Sequence, residues 1–241
     1  MLDALFIGAH PDDVELTAGG LAALLAVHGH RVGIADLTRG EQGTRGDVAE
    51  RAAEAAAAAR ELGAAWRESL GLPDLGLDRH DRAQQAAVVA CLREHRPRLV
   101  VAPDADDAHP DHVEAAHLVA RACYLAGLAR FAAGPAGVRH RPGRLLFALY
   151  RSAARPHLVV DVSAVWERRM AAVRAHASQL DAPRGPATYL TAPGFLGEIE
   201  GRARALGALI GAQYGEGFRM RGPVAVADAR ALLAGPMEEG A

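Results

Sequence analysis

A short apolar run, Leu5-Phe6-Ile7-Gly8-Ala9, ends abruptly in His10-Pro11-Asp12-Asp13. The run has the length and composition of a buried strand. Pro11 cannot continue a hydrogen-bonded ladder, and it biases His10 toward an extended backbone. From Val14 through Leu25 the residues read as a helix, so one imidazole and two carboxylates fall on a tight strand-to-helix turn. The arrangement recurs downstream. Arg98 to Pro103 is again a continuous apolar strand broken at proline, and the polar stretch Asp104 to His112 then opens a helix that Gly127 ends.

The segments between these turns settle the fold class. Thr17 to Gly29 completes the first helix with a glycine stop, and Arg31 to Leu37 is a second strand. Asp47 can cap an Ala-rich helix running to about Leu62; a weaker strand, Ala65 to Leu70, and a helix from Asp81 to His95 follow. Four strands alternating with helices imply a parallel sheet with right-handed crossovers. The expected class is α/β, Rossmann-like and doubly wound, with a mostly parallel sheet and helices on both faces. In the strand order 3-2-1-4, strands one and four are neighbours at the switch point, so the two polar turns face one crevice.

Farther on, Gly134 to Gly143 reads as a mobile connection, Arg144 to Tyr150 and Leu158 to Val162 as strands, and Trp166 to His176 as a helix. Asp181 to Pro193 reads as an irregular loop and Gly194 to Gly211 as a last long helix, while the tail after Pro223 has no legible pattern. One domain over residues 1–241 is expected: a core at 1–128 carrying both polar turns, and strands, helices and an active-site rim at 129–241. The chain is long enough to bury such a core. All 27 of its cations are Arg, against 29 acidic residues, for a net charge of −2. That balance excludes a strongly basic nucleic-acid or membrane-surface character. Cys91 and Cys123 lie in apolar helical stretches without a pairing motif, which suits core thiols in a reducing compartment. No basic leader and no uncharged run near the ~20 residues of a membrane span are present, so a cytoplasmic location is expected, with no membrane and no nucleic-acid partner.

The plain reading of the first turn is a helix start, with Asp12 or Asp13 as N-cap and Glu15 favouring the helix dipole. The second turn, His109-Pro110-Asp111-His112, argues for more. His10, Asp13 and His112 supply two imidazoles and a carboxylate, a set that suits a catalytic zinc with an open water position. Such a metal lowers the pKa of its water to about 7 and polarises a carbonyl. Asp12 is then the candidate proton acceptor, although spacing alone does not choose between Asp12 and Asp13 as ligand. Protonated His109 can stabilise an oxyanion or protonate a leaving amine, and Asp111 can orient an imidazole. His117 is five residues from His112, about 140° around the helix, and is read as a packed or solvated residue.

GAHPDDVE together with HPDH resembles the PIG-L/LmbE family of zinc-dependent N-acetylglucosamine deacetylases. The likeness runs on through TRGEQGTRG, the ERAAEA helix, PDLGL, HASQ and YGEGF. Those stretches are most similar to the branch acting in bacillithiol biosynthesis, which deacetylates N-acetylglucosaminyl-malate. The resemblance implies Zn2+, with Fe2+ as another divalent option, held by His10, Asp13 and His112. It implies Asp12 as general base, His109 as the electrostatic or general-acid histidine with Asp111 beside it, an amino-sugar substrate and a homo-oligomer. Two positions depart from the pattern: Ala108 stands where relatives often carry Arg, and Asp107 where some carry Tyr. These bear on contacts to an acidic aglycone and to the oxyanion, not on the metal.

A malyl group offers two carboxylates that guanidinium groups grip in bidentate fashion. Arg51 matches a family substrate-contact position; Arg45 and Arg39, on the loop after the second strand, are further candidates, with solvation as the alternative. Glu41 can bond sugar hydroxyls. His176, in HASQ, is read as structural, and Tyr214 and Glu216, in YGEGF, as rim residues or, equally, as packing or turn residues. Three rival functions share parts of these features. A facial-triad iron oxygenase has no use for the spare carboxylate beside the ligand Asp. A Rossmann nucleotide enzyme needs GxGxxG where this chain has GAHPDD. A non-catalytic sugar-binding module leaves the ligand-plus-base set without a purpose.

Overall fold

Every residue of Ala4–Gly8 (β1) is buried, yet its side chains belong to two cores. Phe6 points into one, Leu5 and Ile7 into the other. A strand covered on both faces needs apolar residues at every position rather than at every second one, which is why this run carries no alternation. The computed structural model describes residues 1–133, 138–152 and 154–222. Part of the Gly134–Gly143 connection and the tail after Pro223 therefore lie outside the described residues.

After β1 come Asp13–Thr17 (α1), Gly19–Val27 (α2), Val32–Asp36 (β2), Val48–Leu62 (α3), Trp66–Ser69 (β3), Arg82–His95 (α4), Leu99–Pro103 (β4) and Pro110–Ala126 (α5). Arg144–Ala148 (β5), Leu158–Asp161 (β6), Trp166–Arg174 (α6), Ala177–Leu180 (α7), Phe195–Ala208 (α8) and Gly215–Met220 (β7) follow, with short 3-10 turns at Ser163–Val165, Ala182–Arg184 and Tyr189–Thr191. The sheet order is β3-β2-β1-β4-β5-β7-β6. Strands β3 through β5 are parallel, in the expected 3-2-1-4 arrangement, and β7 runs antiparallel between β5 and β6. Helices α4 and α5 pack together over one face, and α2, α3 and α6 over the other. Asp47 and Asp81 cap α3 and α4 through their side chains, and Gly63 closes α3 in the left-handed conformation.

Two features differ from the sequence expectation. The first helix is not continuous: it breaks at Ala18 and restarts at Gly19. The restart frees the N–H groups of Gly20 and Leu21, which both donate to the Glu216 carboxylate at 2.7 Å. A side chain at Gly20 would strike Glu216 and Val162 at 2.8 Å, so the approach requires glycine. The second is β7, where two glycines in GEGF resemble a turn. Gly215 is there because a Cβ would lie 2.7 Å from Val159 and 2.8 Å from the Gly207 backbone of α8. Of the roles open to Tyr214, packing is the one it takes: it stacks on Trp166 with centroids 4.1 Å apart.

Candidate active site

The ends of β1 and β4 are adjacent, and their polar turns meet at the floor of a cleft of about 940 Å3. That is within the usual range for small-molecule sites. The first turn is closed by the His10 N–H donating to Asp13 Oδ2 at 2.8 Å. Asp12 occupies the N-cap position of α1, but with φ 144° and ψ −22° and no side-chain cap bond. This region is sparsely populated for any residue but glycine and costs on the order of 1–3 kcal/mol. The Asp12 carboxyl is instead left facing Arg51, whose Nη2 is 3.6 Å away.

On the second turn, Pro110 opens α5 and His109 is its N-cap, accepting the Asp111 N–H on Nδ1 at 3.2 Å. His112 lies one turn in. Its Nδ1 is 3.0 Å from Asp107 Oδ2 and its Nε2 is 3.2 Å from Asp13 Oδ1. His10 is arranged in the same manner: Nε2 meets Asp74 at 3.1 Å and Asp111 at 3.3 Å, while Nδ1 lies 3.5 Å from Asp13 Oδ2. Each imidazole thus has one nitrogen oriented by an outer carboxylate and the other turned to Asp13, the pattern of metal-bound histidines. Donors about 2.0–2.2 Å from a tetrahedral zinc stand roughly 3.3 Å apart, which these Asp13 distances bracket.

The cluster can coordinate a divalent metal. Among the described residues, the groups whose donor atoms all lie within 4.8 Å of one another are His10, His109 and His112, and His10, Asp74 and Asp111; the set expected from the sequence, His10, Asp13 and His112, is held together pairwise through Asp13 and is not one of them. His109 is half-buried, and no carboxylate bonds its ring. The charges favour a cation at the centre. Burial pulls the His10 pKa down, but hydrogen bonds to Asp111 and Asp13 outweigh it and raise it to about 11. Burial is likewise overcome at His112 by the Asp13 charge and the Asp107 bond, to about 10. Asp13, despite its burial, is held well below the usual carboxylate range by His112 and His10. Asp12 is pushed up by burial, which exceeds the pull of Arg51. An ion bound here displaces protons that the carboxylates otherwise keep on the imidazoles.

Comparison with known proteins agrees with this geometry. Residues 5–123 match the family described as PIG-L, GlcNAc-PI de-N-acetylase. The chain is 31% identical over 185 residues to the diacetylchitobiose deacetylase of Thermococcus kodakarensis, covering 73% of this chain and 69% of that one. It is 30% identical over 232 residues to the 1D-myo-inositol 2-acetamido-2-deoxy-alpha-D-glucopyranoside deacetylase of Mycobacteroides abscessus, covering 73% and 81%. The chain belongs to the PIG-L family. A crystal structure of a conserved protein from Thermus thermophilus, 37% identical, superposes with a TM-score of 0.85 over 94% of this chain and 98% of that one. Like other PIG-L proteins, the chain is a metal-dependent amidohydrolase.

Within this PIG-L site, the sequence-derived candidates divide. His10, Asp12, Asp13, His109, His112 and Arg51 all line the cleft. Asp111 stands behind His10, accepting the Leu75 N–H at 2.8 Å. Arg45 does neither of the things expected of it. Its guanidinium is sealed, donating to the carbonyls of Ser178, Pro186 and Asp181, so it ties two loops together rather than gripping substrate or facing solvent. Arg51 lines the cleft but is engaged as a brace, donating to Gly40 O at 3.0 Å and Pro11 O at 3.1 Å. Glu41 accepts the Asp74 and Arg39 N–H groups and stands outside the cleft lining. Glu15 is not a simple dipole charge; it is fully buried in an ion pair with Arg67.

Asp74, Tyr150 and Arg151 are among the cleft residues to which the sequence reading gave no role. Asp74, in PDLGL, carries His10 on one oxygen and the Gln42 N–H on the other. Tyr150 and Arg151 follow β5, the strand next to β4, and Arg151 lies 4.0 Å over the Tyr189 ring. Only the PDLGL stretch offered a signal, and it names no role.

Proposed function

We propose that this protein removes the N-acetyl group from a GlcNAc conjugate with a neutral aglycone. His10, Asp13 and His112 would hold the metal, for which two imidazoles and a carboxylate suit Zn2+. When bound, such an ion would supply Lewis acidity toward the acyl carbonyl and an acidified water. Asp12 accepts the proton of the attacking water; its carboxyl hangs from a strained backbone, and burial raises its pKa, the direction that makes a carboxylate a better base. His109 opens toward the cleft beside the other two imidazoles, placed to steady the developing oxyanion or to protonate the departing amine. Asp111 and Asp74 orient His10, and Asp107 orients His112. The observation that carries this reading is the pair of imidazoles, each backed by a carboxylate and both aimed at Asp13.

The aglycone follows from charge. The cleft is lined by Asp12, Asp13, Asp74, Asp106 and Asp107 against Arg51 and Arg151, an acidic wall even after a divalent ion is bound. A malyl dianion meets repulsion there, and Arg51 is already engaged by Asp12 and two carbonyls. The names of the relatives point to sugar and inositol aglycones instead. The test is to incubate metal-assayed protein with N,N'-diacetylchitobiose, a GlcNAc-inositol and N-acetylglucosaminyl-malate and to quantify free amine. The neutral glycosides are expected to exceed the malate in kcat/KM by about tenfold, which is about 1.4 kcal/mol. Preference for the malate, abolished by Arg51→Ala, would restore the bacillithiol-type reading; no amine from any of them would end the deacetylase one.

A further inference from the structure

His176, in the HASQ stretch, is 2% exposed, and neither ring nitrogen has a hydrogen-bond partner among the described residues. Its Nε2 is 3.6 Å from Glu15 Oε2, an oxygen that is itself without a partner and too far for a good hydrogen bond. A buried polar group left unpaired forfeits its hydration without a replacement, so such a site favours a water that can bond it. Beside the ring is a cavity of about 10 Å3, lined by Asp12, His176 and Gln179 and otherwise by Leu16, Val173, Leu180 and Leu190. That is about the space one water requires, provided it finds polar partners. Asp12 has the matching deficit. Its carboxyl makes no cap bond, its backbone is strained, and Arg51 is its one cationic contact within 4.0 Å among the described residues.

We propose that a single water molecule fills this cavity and bridges a ring nitrogen of His176 to the Asp12 carboxyl, which makes His176 a positioning residue for Asp12. The inference rests on the assignment of Asp12 given above. The far side of the ring is firmly built. Glu15 pairs with Arg67, and Arg67 grips Asp36 at the end of β2 through bonds of 2.8 and 3.0 Å. The His176 ring therefore lies between a Glu15 carboxylate that Arg67 fixes to the sheet, 3.6 Å away on one side, and the bridging water on the other. It supplies the rigidity that a strained N-cap without its own cap bond lacks. Misplacing a reacting group by an ångström costs on the order of a hundredfold in rate.

Two measurements on the metal-loaded protein test this. A crystal structure resolving ordered solvent is expected to show one water within hydrogen-bond distance of His176 and Asp12. With the best glycoside of the panel, His176→Phe is expected to lower kcat by about 10–100-fold with KM and metal content unchanged. His176→Gln keeps a polar atom in the cavity and is expected to stay within a few-fold of wild type. An empty cavity in the wild type overturns the proposal, as does a His176→Phe protein of full activity. So does a Gln variant no better than Phe, since packing alone then accounts for the residue. Should the Phe variant not fold, the wild-type solvent and the Gln variant still decide. Should the wild type release no amine, the deacetylase reading fails, while the crystal structure still judges the water.

Discussion

Two helix N-termini follow each other within ten residues, and the chain treats them in opposite ways. At α2 the terminus has no capping side chain of its own, and Glu216 arrives from β7 to accept both free N–H groups while pairing with Arg169 at 3.1 Å. At α1 the reverse holds: Asp12 sits at the N-cap with a carboxylate in hand and makes no cap bond. The first cluster is sealed and its hydrogen bonds are made. The second opens on the cleft with its carboxylates facing imidazoles. The difference teaches that the same chemistry, carboxylates at a helix start, serves stability where the cap is closed and reactivity where it is withheld. Backbone strain at Asp12 is the energetic sign of the withholding.

The comparison can be broken by exchanging what each end loses. The largest effect is expected at the open end: Asp12→Asn should lower kcat by about 10²–10⁴-fold, the usual worth of a general base. Metal content and melting temperature should stay as in the wild type. A variant of unchanged turnover would remove Asp12 from the proton-transfer role and leave its strain without a function.

The sealed end should respond in stability instead. Burial raises the Glu216 pKa against the pull of Arg169 and lowers that of Arg169, so the pair was costly to bury, and leaving half of it is worse than having neither. Glu216→Ala should therefore cost about 3–5 kcal/mol in urea unfolding. Zinc should still raise the melting temperature of this variant, because a ligand that binds only the folded state stabilises it. In His112→Ala that rise should vanish. A Glu216→Ala protein as stable as the wild type, or one blind to zinc, would show that the two ends are not independent.

The smallest effect sharpens the meaning of sealing. Burial pushes the Cys91 and Cys123 thiols up to about 12. The folded protein keeps their protons while the unfolded chain gives them up above about pH 8.5, so stability falls as pH rises through that window. Between pH 8 and 10 the wild type should lose roughly 1–2 kcal/mol per thiol more than a Cys91→Ala, Cys123→Ala double variant. Equal losses in the two proteins would mean that the thiols titrate in the folded state and that this core admits solvent.

Much of the fold was legible because its signals are short-range. Asp47 and Gly63 bound α3 by capping chemistry within the segment itself, and unbroken apolar runs mark β1 and β4 as doubly covered strands. The handedness of crossovers then places those strands side by side, which brings HPDD and HPDH to one cleft without further information. That His10, Asp12, Asp13, His109 and His112 would meet in one cleft was legible for the same reason, since each lies beside a strand end. Other features were decided by tertiary structure alone. Arg45 was a substrate candidate by position, and it is a tie between loops because Ser178, Asp181 and Pro186 fold back over it. YGEGF left rim, packing and turn roles open, and the break at Ala18 and the close approach of α8 decide that Glu216 is a buried partner within a strand. The partner of His10 in PDLGL and the positive-φ backbone of Asp12 belong with these. Local sequence dictates what a segment can become by its own hydrogen bonds and burial. Where a charge finds its partner more than a hundred residues away, only the assembled chain determines whether that charge is sealed or left free to react.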